Sequence, residues 1–334
     1  MSEPIRIFLP HAPDMLQNYF GDKAVEGLRA LGEVKINSLG HPLDTTDLVR
    51  AAEGCQIILS DRRTPGEAAA FQALPDLVAF MRCAVDIRTI DVAAASAAGV
   101  LVTRASPGFV PAVAELAIGF MIDLGRNITR STLEFRAGRQ PPAPMGRQLN
   151  GGTLGIIGYG AIGRYLAELA IALGMRVLVS DPYVKIARED VRQLPLGDLL
   201  PEADFVVCLA AASEETENLI DAKALARMKR SAYFINLSRG DLVDEAALTI
   251  AIDAGLIAGA AVDVGRAPDQ MPSPALAARQ DVIATPHLGG LTPSAIEHQA
   301  LETVAQAAEI VAGRAPKGSV NAEKAHRLAR LVKR

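Results

Sequence analysis

Thr153-Leu154-Gly155-Ile156-Ile157-Gly158-Tyr159-Gly160-Ala161-Ile162-Gly163 is a short apolar run that breaks into spaced glycines. Arg176-Val177-Leu178-Val179-Ser180-Asp181 is a second apolar run, closing on an acid. Residues 161–173 between them have helical spacing and stop at Gly174. Strand, glycine turn, helix and strand in that order form a βαβ unit with a G-x-G-x-x-G turn at its first strand–helix junction. Gly158 allows the tight turn, Gly160 lets backbone approach a pyrophosphate, and Gly163 lets helix pack on strand. The turn Gly158, Tyr159, Gly160, Ala161, Ile162 and Gly163 then holds phosphates on its amides and on the positive end of the helix. Asp181 stands where a carboxylate accepts hydrogen bonds from both ribose hydroxyls and repels a 2′-phosphate, so the expected cofactor is NAD rather than NADP.

The same alternation runs in both directions from this unit. Upstream, strands are expected over 5–9, 34–38, 56–60, 77–80 and 99–103; downstream, over 205–209, 233–237, 258–264 and 282–284. Several are apolar on both faces, as strands buried in a parallel sheet are. Between the two sets, Val113, Leu116, Ala117, Phe120, Met121 and Leu124 follow helical spacing, and the pattern fades only towards Gly138. That predicts one long connector helix ending in the Pro-rich stretch 140–144. A last long helix over 293–312, with no strand after it, is expected to return the chain to the first domain. The fold class is therefore α/β, with two doubly wound parallel-sheet domains: 1–110 completed by 293–334, and 111–292.

Composition narrows the function. A chain of 334 residues that is 50% hydrophobic has apolar material for two cores. Its net charge of −4 lacks the basic excess that phosphate neutralisation requires, so nucleic acid is not an expected partner. The basic stretch 326–334 reads as a solvated helix end or tail. Cys55, Cys83 and Cys208 form no CxxC pair and have no ligand-like spacing to the histidines, which points to a reducing cytoplasm and no metal site. No basic-then-apolar leader opens the chain, and no apolar run reaches the ~18 residues of a membrane span.

From about Leu77 to Thr292 the sequence resembles the D-isomer-specific 2-hydroxyacid dehydrogenases. The matching pieces are Ala114-Glu115, Gly158 to Gly163 with Asp181, Asn236-Leu237-Ser238-Arg239-Gly240, Val243-Asp244-Glu245-Ala246-Ala247-Leu248, Gly259-Ala260-Ala261-Val262-Asp263-Val264 and Thr285-Pro286-His287-Leu288-Gly289-Gly290. The resemblance implies a flavodoxin-like substrate domain beside a Rossmann NAD-binding domain, and a homodimer. It implies hydride transfer between NAD and a small 2-hydroxy/2-oxo acid. Arg239, just past an expected strand, matches the substrate-orienting arginine; a guanidinium grips a carboxylate bidentately where a lysine would do less well. His287 matches the acid/base, which gives a proton to the ketone oxygen in reduction and accepts it in oxidation. Asp263 is implied to hydrogen-bond the nicotinamide carboxamide. His11, His41, His298 and His326 read as surface or structural.

Two positions depart from the family pattern. A glutamate that pairs with the histidine is usual before a proline beyond Asp263, but Ala267 stands there, one residue short, and Asp269 is the nearest carboxylate. The loop that holds the substrate carboxylate on backbone amides, usually G-V-G, here reads Ala84-Val85-Asp86, with Arg88 where an aspartate is common. Asp86 adds negative charge beside an acidic substrate unless it meets a cation such as Arg82, Arg88 or Arg104. The other reading of the same resemblance is an NAD-sensing, corepressor-like binding module; enzymes of this fold acting on formate or phosphite are a closer rival.

Overall fold

The computed structural model describes residues 4–332 apart from the side chain of Asp269. The chain divides into two compact units, Met1–Gly108 with Pro293–Arg334, and Phe109–Thr292.

In the first unit the apolar runs form β1 (Arg6–Leu9), β2 (Glu33–Ile36), β3 (Ile57–Ser60), β4 (Ala79–Arg82) and β5 (Leu101–Arg104). All are parallel, in the order β2-β1-β3-β4-β5. β3 and β4 are buried along their whole length, which is why they lack polar alternation, whereas the edge strand β2 is half exposed. The Pro293–Val311 helix belongs to this unit, where Ala300, Ala307 and Ile310 pack with Ile7, Leu28, Ile57 and Met81. The basic C-terminal stretch is docked rather than solvated as far as it is described. Arg327 donates from Nη1 to the carbonyls of Leu74 and Leu77, both at 2.9 Å, and Arg330 donates to that of Pro75 at 2.7 Å. These guanidinium groups satisfy carbonyls left over before β4, a partner that composition could not reveal. Lys333 and Arg334 lie outside the described residues.

The second unit holds β6 (Thr153–Ile157), β7 (Arg176–Ser180), β8 (Val191–Gln193), β9 (Phe205–Cys208), β10 (Tyr233–Asn236), β11 (Gly259–Val262) and β12 (Val282–Ala284). They form one parallel sheet in the order β12-β11-β10-β9-β6-β7-β8. The chain winds outward from β6 to β8, then returns to β9 and winds the other way. The carboxyl ends of β6 and β9 therefore flank the topological switch point, where open α/β sheets bind ligands. β8 lies outside the sequence-based expectations because only Val191 in it is buried. Among the described residues no helix is long and apolar enough to cross a membrane.

The expected single connector helix is two, Val110–Arg126 and Ile128–Arg136. Asn127 divides them in the left-handed region at φ +55°, its N–H bonded to the Asp123 carbonyl. The Asp123 carboxylate accepts from the Thr129 amide at 2.8 Å and restarts the chain as a helix. Apolar spacing runs through this break, so periodicity alone could not show it. The first helix buries Val113, Ala117, Met121 and Leu124 in a core with Leu154, Ile156, Leu166 and Ala170. The second buries none of its residues.

Candidate active site

The glycine turn has the geometry its residue types predict. Gly158 lies at φ +95°, and a Cβ there would sit 2.6 Å from the Ala210 amide nitrogen at the end of β9. A Cβ on Gly163 would sit 2.3 Å from the Gly158 carbonyl oxygen, whereas one on Gly160 meets nothing within 4 Å. Helix and strand thus close at Gly163, and space remains at Gly160. Gly160 is the N-cap of the Ala161–Ala172 helix and offers no capping side chain, so the first amides of that helix are left for a ligand. Asp181, directly after β7, accepts from the Tyr159 amide at 2.7 Å and from the Tyr183 amide at 2.9 Å, which ties it to the same turn. Each carboxylate oxygen keeps a lone pair for a ribose hydroxyl. These features fit NAD: an open cradle at a helix N-terminus, and an acid beside it where a 2′-phosphate would be repelled.

Tyr159 contributes to this turn through its backbone, because its ring is buried. Arg164 covers that ring with its guanidinium carbon 5.7 Å from the centroid and donates from Nε to the Tyr159 carbonyl at 3.2 Å. Sequence reasoning missed this cation in the first turn of the phosphate-binding helix, although it directly follows Gly163. Cys208, at the end of β9, is no nucleophile here: burial pushes its thiol up to about 12.

The second group of residues stands at the carboxyl ends of three neighbouring strands. Arg239 follows β10, Asp263 follows β11 and His287 follows β12. Arg239 donates from Nη1 to the Ser238 carbonyl at 2.7 Å, while the Asn236 side chain holds the Arg239 carbonyl at 3.0 Å. Ser238 in turn donates from Oγ to the Ala210 carbonyl, joining this loop to the glycine turn's neighbour. A Cβ on Gly240 would lie 2.1 Å from the Gly265 carbonyl carbon, so the loops after β10 and β11 touch backbone to backbone.

His287 is one of few non-glycine residues with positive φ, at +52°. Such a conformation costs roughly 1–3 kcal/mol and persists only where its surroundings over-determine it. Here they do. The His287 amide donates to the carbonyls of Asp263 at 2.9 Å and Thr285 at 3.0 Å. The Asp263 carboxylate, 2% exposed, accepts from the Thr285 hydroxyl at 2.6 Å, the Leu288 amide at 2.9 Å and the Gly289 amide at 2.8 Å. The turn 285–289 is thus wrapped around one buried carboxylate. Asp269 lies in the 3-10 turn Pro268–Gln270, and its side chain is outside the described residues.

In the first unit, the loop 84–86 follows β4. Arg88 grips the Asp86 carboxylate through Nε at 3.1 and 3.0 Å and Nη2 at 2.8 Å, and also through its own amide at 3.0 Å. Arg88, one of the candidates named from sequence, therefore covers Asp86. Arg82, fully buried, spends Nη2 on the Thr64 carbonyl at 2.9 Å and the Thr89 hydroxyl at 2.8 Å, bracing the loops on either side. Beside it sit buried Asp61 and His11, past the ends of β3 and β1. Burial drives the His11 pKa down to about 4, so the ring is neutral near pH 7. Its location past a strand end is the signal that sequence reasoning passed over.

Comparison with known proteins defines the class. The D-isomer specific 2-hydroxyacid dehydrogenase family, NAD binding domain, matches residues 118–289. D-3-phosphoglycerate dehydrogenase of Synechocystis sp. is 35% identical over 254 residues, covering 75% of this chain and 46% of that protein. The Mycobacterium tuberculosis enzyme of the same name is 33% identical over 297 residues, covering 87% of this chain and 56% of that protein. The chain thus spans about half the length of the curated relatives it matches. Among solved structures, a protein from Thermus thermophilus superposes with a TM-score of 0.85 at 28% identity, covering 95% of this chain and 100% of that one. A Lactobacillus delbrueckii D-isomer specific 2-hydroxyacid dehydrogenase in its NAD-complexed form gives 0.77 at 26% identity, covering 95% and 99%. The protein belongs to the D-isomer specific 2-hydroxyacid dehydrogenase family. The residues matched by the NAD-binding-domain family lie within its Phe109–Thr292 unit, and the resemblance read from the motifs is borne out.

Proposed function

We propose that this chain is a cytoplasmic, homodimeric NAD-dependent 2-hydroxyacid dehydrogenase that interconverts a small 2-hydroxy acid and its 2-oxo acid. The observation that carries the reading is the row of Arg239, Asp263 and His287 on adjacent strand ends of the sheet that also bears the glycine turn and Asp181. Bound NAD supplies or takes up the hydride. Arg239 orients the substrate by a bidentate grip on its carboxylate and polarises the neighbouring carbonyl. His287 holds a proton on its imidazole, gives it to the carbonyl oxygen during reduction, and takes it back during oxidation. In the first unit, the amides of Ala84, Val85 and Asp86 form the proposed carboxylate-binding loop, and the Arg88 grip on Asp86 relieves the repulsion that a bare carboxylate would exert on an acid there. Asp269 is the proposed carboxylate partner of His287.

The named relatives are dehydrogenases, which favours an enzyme over a corepressor-like binding module. The test is steady-state oxidation of NADH with pyruvate, glyoxylate, hydroxypyruvate and phenylpyruvate. Turnover with at least one is expected; NADH binding without turnover of any would favour the binding module.

A further inference from the structure

We infer that Thr285 is a positioning residue of the reaction, acting through the Asp263 carboxylate to fix His287. The inference rests on the acid/base reading of His287 and deepens it. His287 leaves the sheet in a left-handed backbone conformation, which sets the direction of its Cα–Cβ bond and which L side chains adopt only under constraint. Two bonds constrain it directly, from its own amide to the Asp263 and Thr285 carbonyls. Three more converge on the Asp263 carboxylate, from the Thr285 hydroxyl and the Leu288 and Gly289 amides, bracketing His287 on both sides in sequence.

The converging donors differ in kind. Those of Leu288 and Gly289 are backbone amides, and Gly289 has to be glycine to bring its amide in: a Cβ there would sit 2.9 Å from Asp263 Oδ2. Thr285 supplies a side-chain donor to Oδ1, at 2.6 Å. A carboxylate 2% exposed cannot replace a lost donor with bulk water. Removing the hydroxyl therefore leaves Oδ1 with the Leu288 amide and Oδ2 with that of Gly289, so the carboxylate loses its anchor to residue 285 and the segment wrapped around it can shift. A displacement of about 1 Å in a catalytic group costs on the order of 10²-fold in rate. Thr285 itself needs no contact with substrate for this effect.

The experiment compares wild type with Thr285→Val, which keeps the shape and loses the donor, and Thr285→Ser, which keeps the donor. The 334-residue chain is assayed with NADH and the best 2-oxo acid of the panel above, and NADH affinity is measured separately by fluorescence. Thr285→Val should lower kcat about 10- to 100-fold with KM for the acid and Kd for NADH changed less than about threefold, and Thr285→Ser should recover kcat to within about threefold of wild type. Wild-type kcat in Thr285→Val, or no recovery in Thr285→Ser, overturns the inference. A loss of NADH affinity as large as the loss in kcat also overturns it, because the Thr285–Asp263 pair would then serve the nicotinamide. His287→Ala is run alongside. If it retains turnover, the acid/base reading fails; if it is inactive while Thr285→Val is fully active, only the present inference fails.

Discussion

His287 and Arg239 carry the proposed chemistry, and each has a substitution that isolates its contribution. His287→Ala should lower kcat by about 10²- to 10⁴-fold, the usual worth of a positioned acid/base, while NADH still binds. Arg239→Lys keeps the charge but replaces a planar fork with a point donor, so kcat/KM for the 2-oxo acid should fall strongly. Near-normal turnover in either variant would remove that residue from the site. Asp181 bears on cofactor choice instead. Its charge, fixed by the Tyr159 and Tyr183 amides, repels a 2′-phosphate with an energy of about 1–4 kcal/mol at contact distance. Asp181→Ala should narrow the preference for NADH over NADPH by at least about tenfold, read as the ratio of kcat/KM values. A wild-type enzyme that already prefers NADPH would refute this.

At the level of strands and loops, the first sheet stores a pH dependence in its carboxyl edge. His11 is 1% exposed past β1, and neither ring nitrogen has a hydrogen-bond partner in the described chain. Its pKa falls from 6.5 in an unfolded chain to about 4, chiefly by desolvation; Arg82 lowers it further and Asp61 opposes. Between those values the unfolded chain binds the proton and the folded one does not, so stability is full above pH 6.5 and declines as pH falls towards 4. The contribution is on the order of 1–3 kcal/mol. Wild type should thus lose more thermal stability than His11→Phe between about pH 7 and about pH 4.5; parallel curves would refute the burial of a neutral ring. The sequence placed this histidine past a strand end, but not its burial beside Asp61 and Arg82, which come from other strands. The glycine turn was legible for the opposite reason: Gly158 and Gly163 answer local demands of φ and close approach that a side chain would violate, and Gly160 leaves the space between them open. Buried strands were equally legible from their unbroken apolar runs, whereas β8, with only Val191 buried, and the break at Asn127 gave periodicity nothing to detect. Asp263 announced itself as a strand-end acid, but its hold on residues 285–289 is a contact across more than twenty positions that spacing cannot express.

For the molecule as a whole, the proposed homodimer has a physical starting point in the Ile128–Arg136 helix. None of its residues is buried, yet Ile128, Leu133 and Phe135 are exposed apolar side chains, with Phe135 at 65%. Ile128 and Phe135, seven residues apart, share one face of the helix. Exposed apolar side chains grouped on one element mark an interaction surface more often than they mark chance. A second copy is the occupant that the family resemblance implies, and a stable interface of that kind removes about 800 Å² from each partner. The wild-type protein should therefore elute and sediment at twice the chain mass at micromolar concentration. Introducing Ile128→Asp together with Phe135→Asp places two carboxylates on that shared face, where the dimer would exclude water, at a cost of several kcal/mol. That variant should run at the single-chain mass with unchanged circular dichroism, since neither side chain supports the fold of its own unit. Wild-type protein that sediments as a single chain would refute the dimer. An aspartate variant that remains a dimer would refute this helix as its seat, and the interface would then have to be sought on another face.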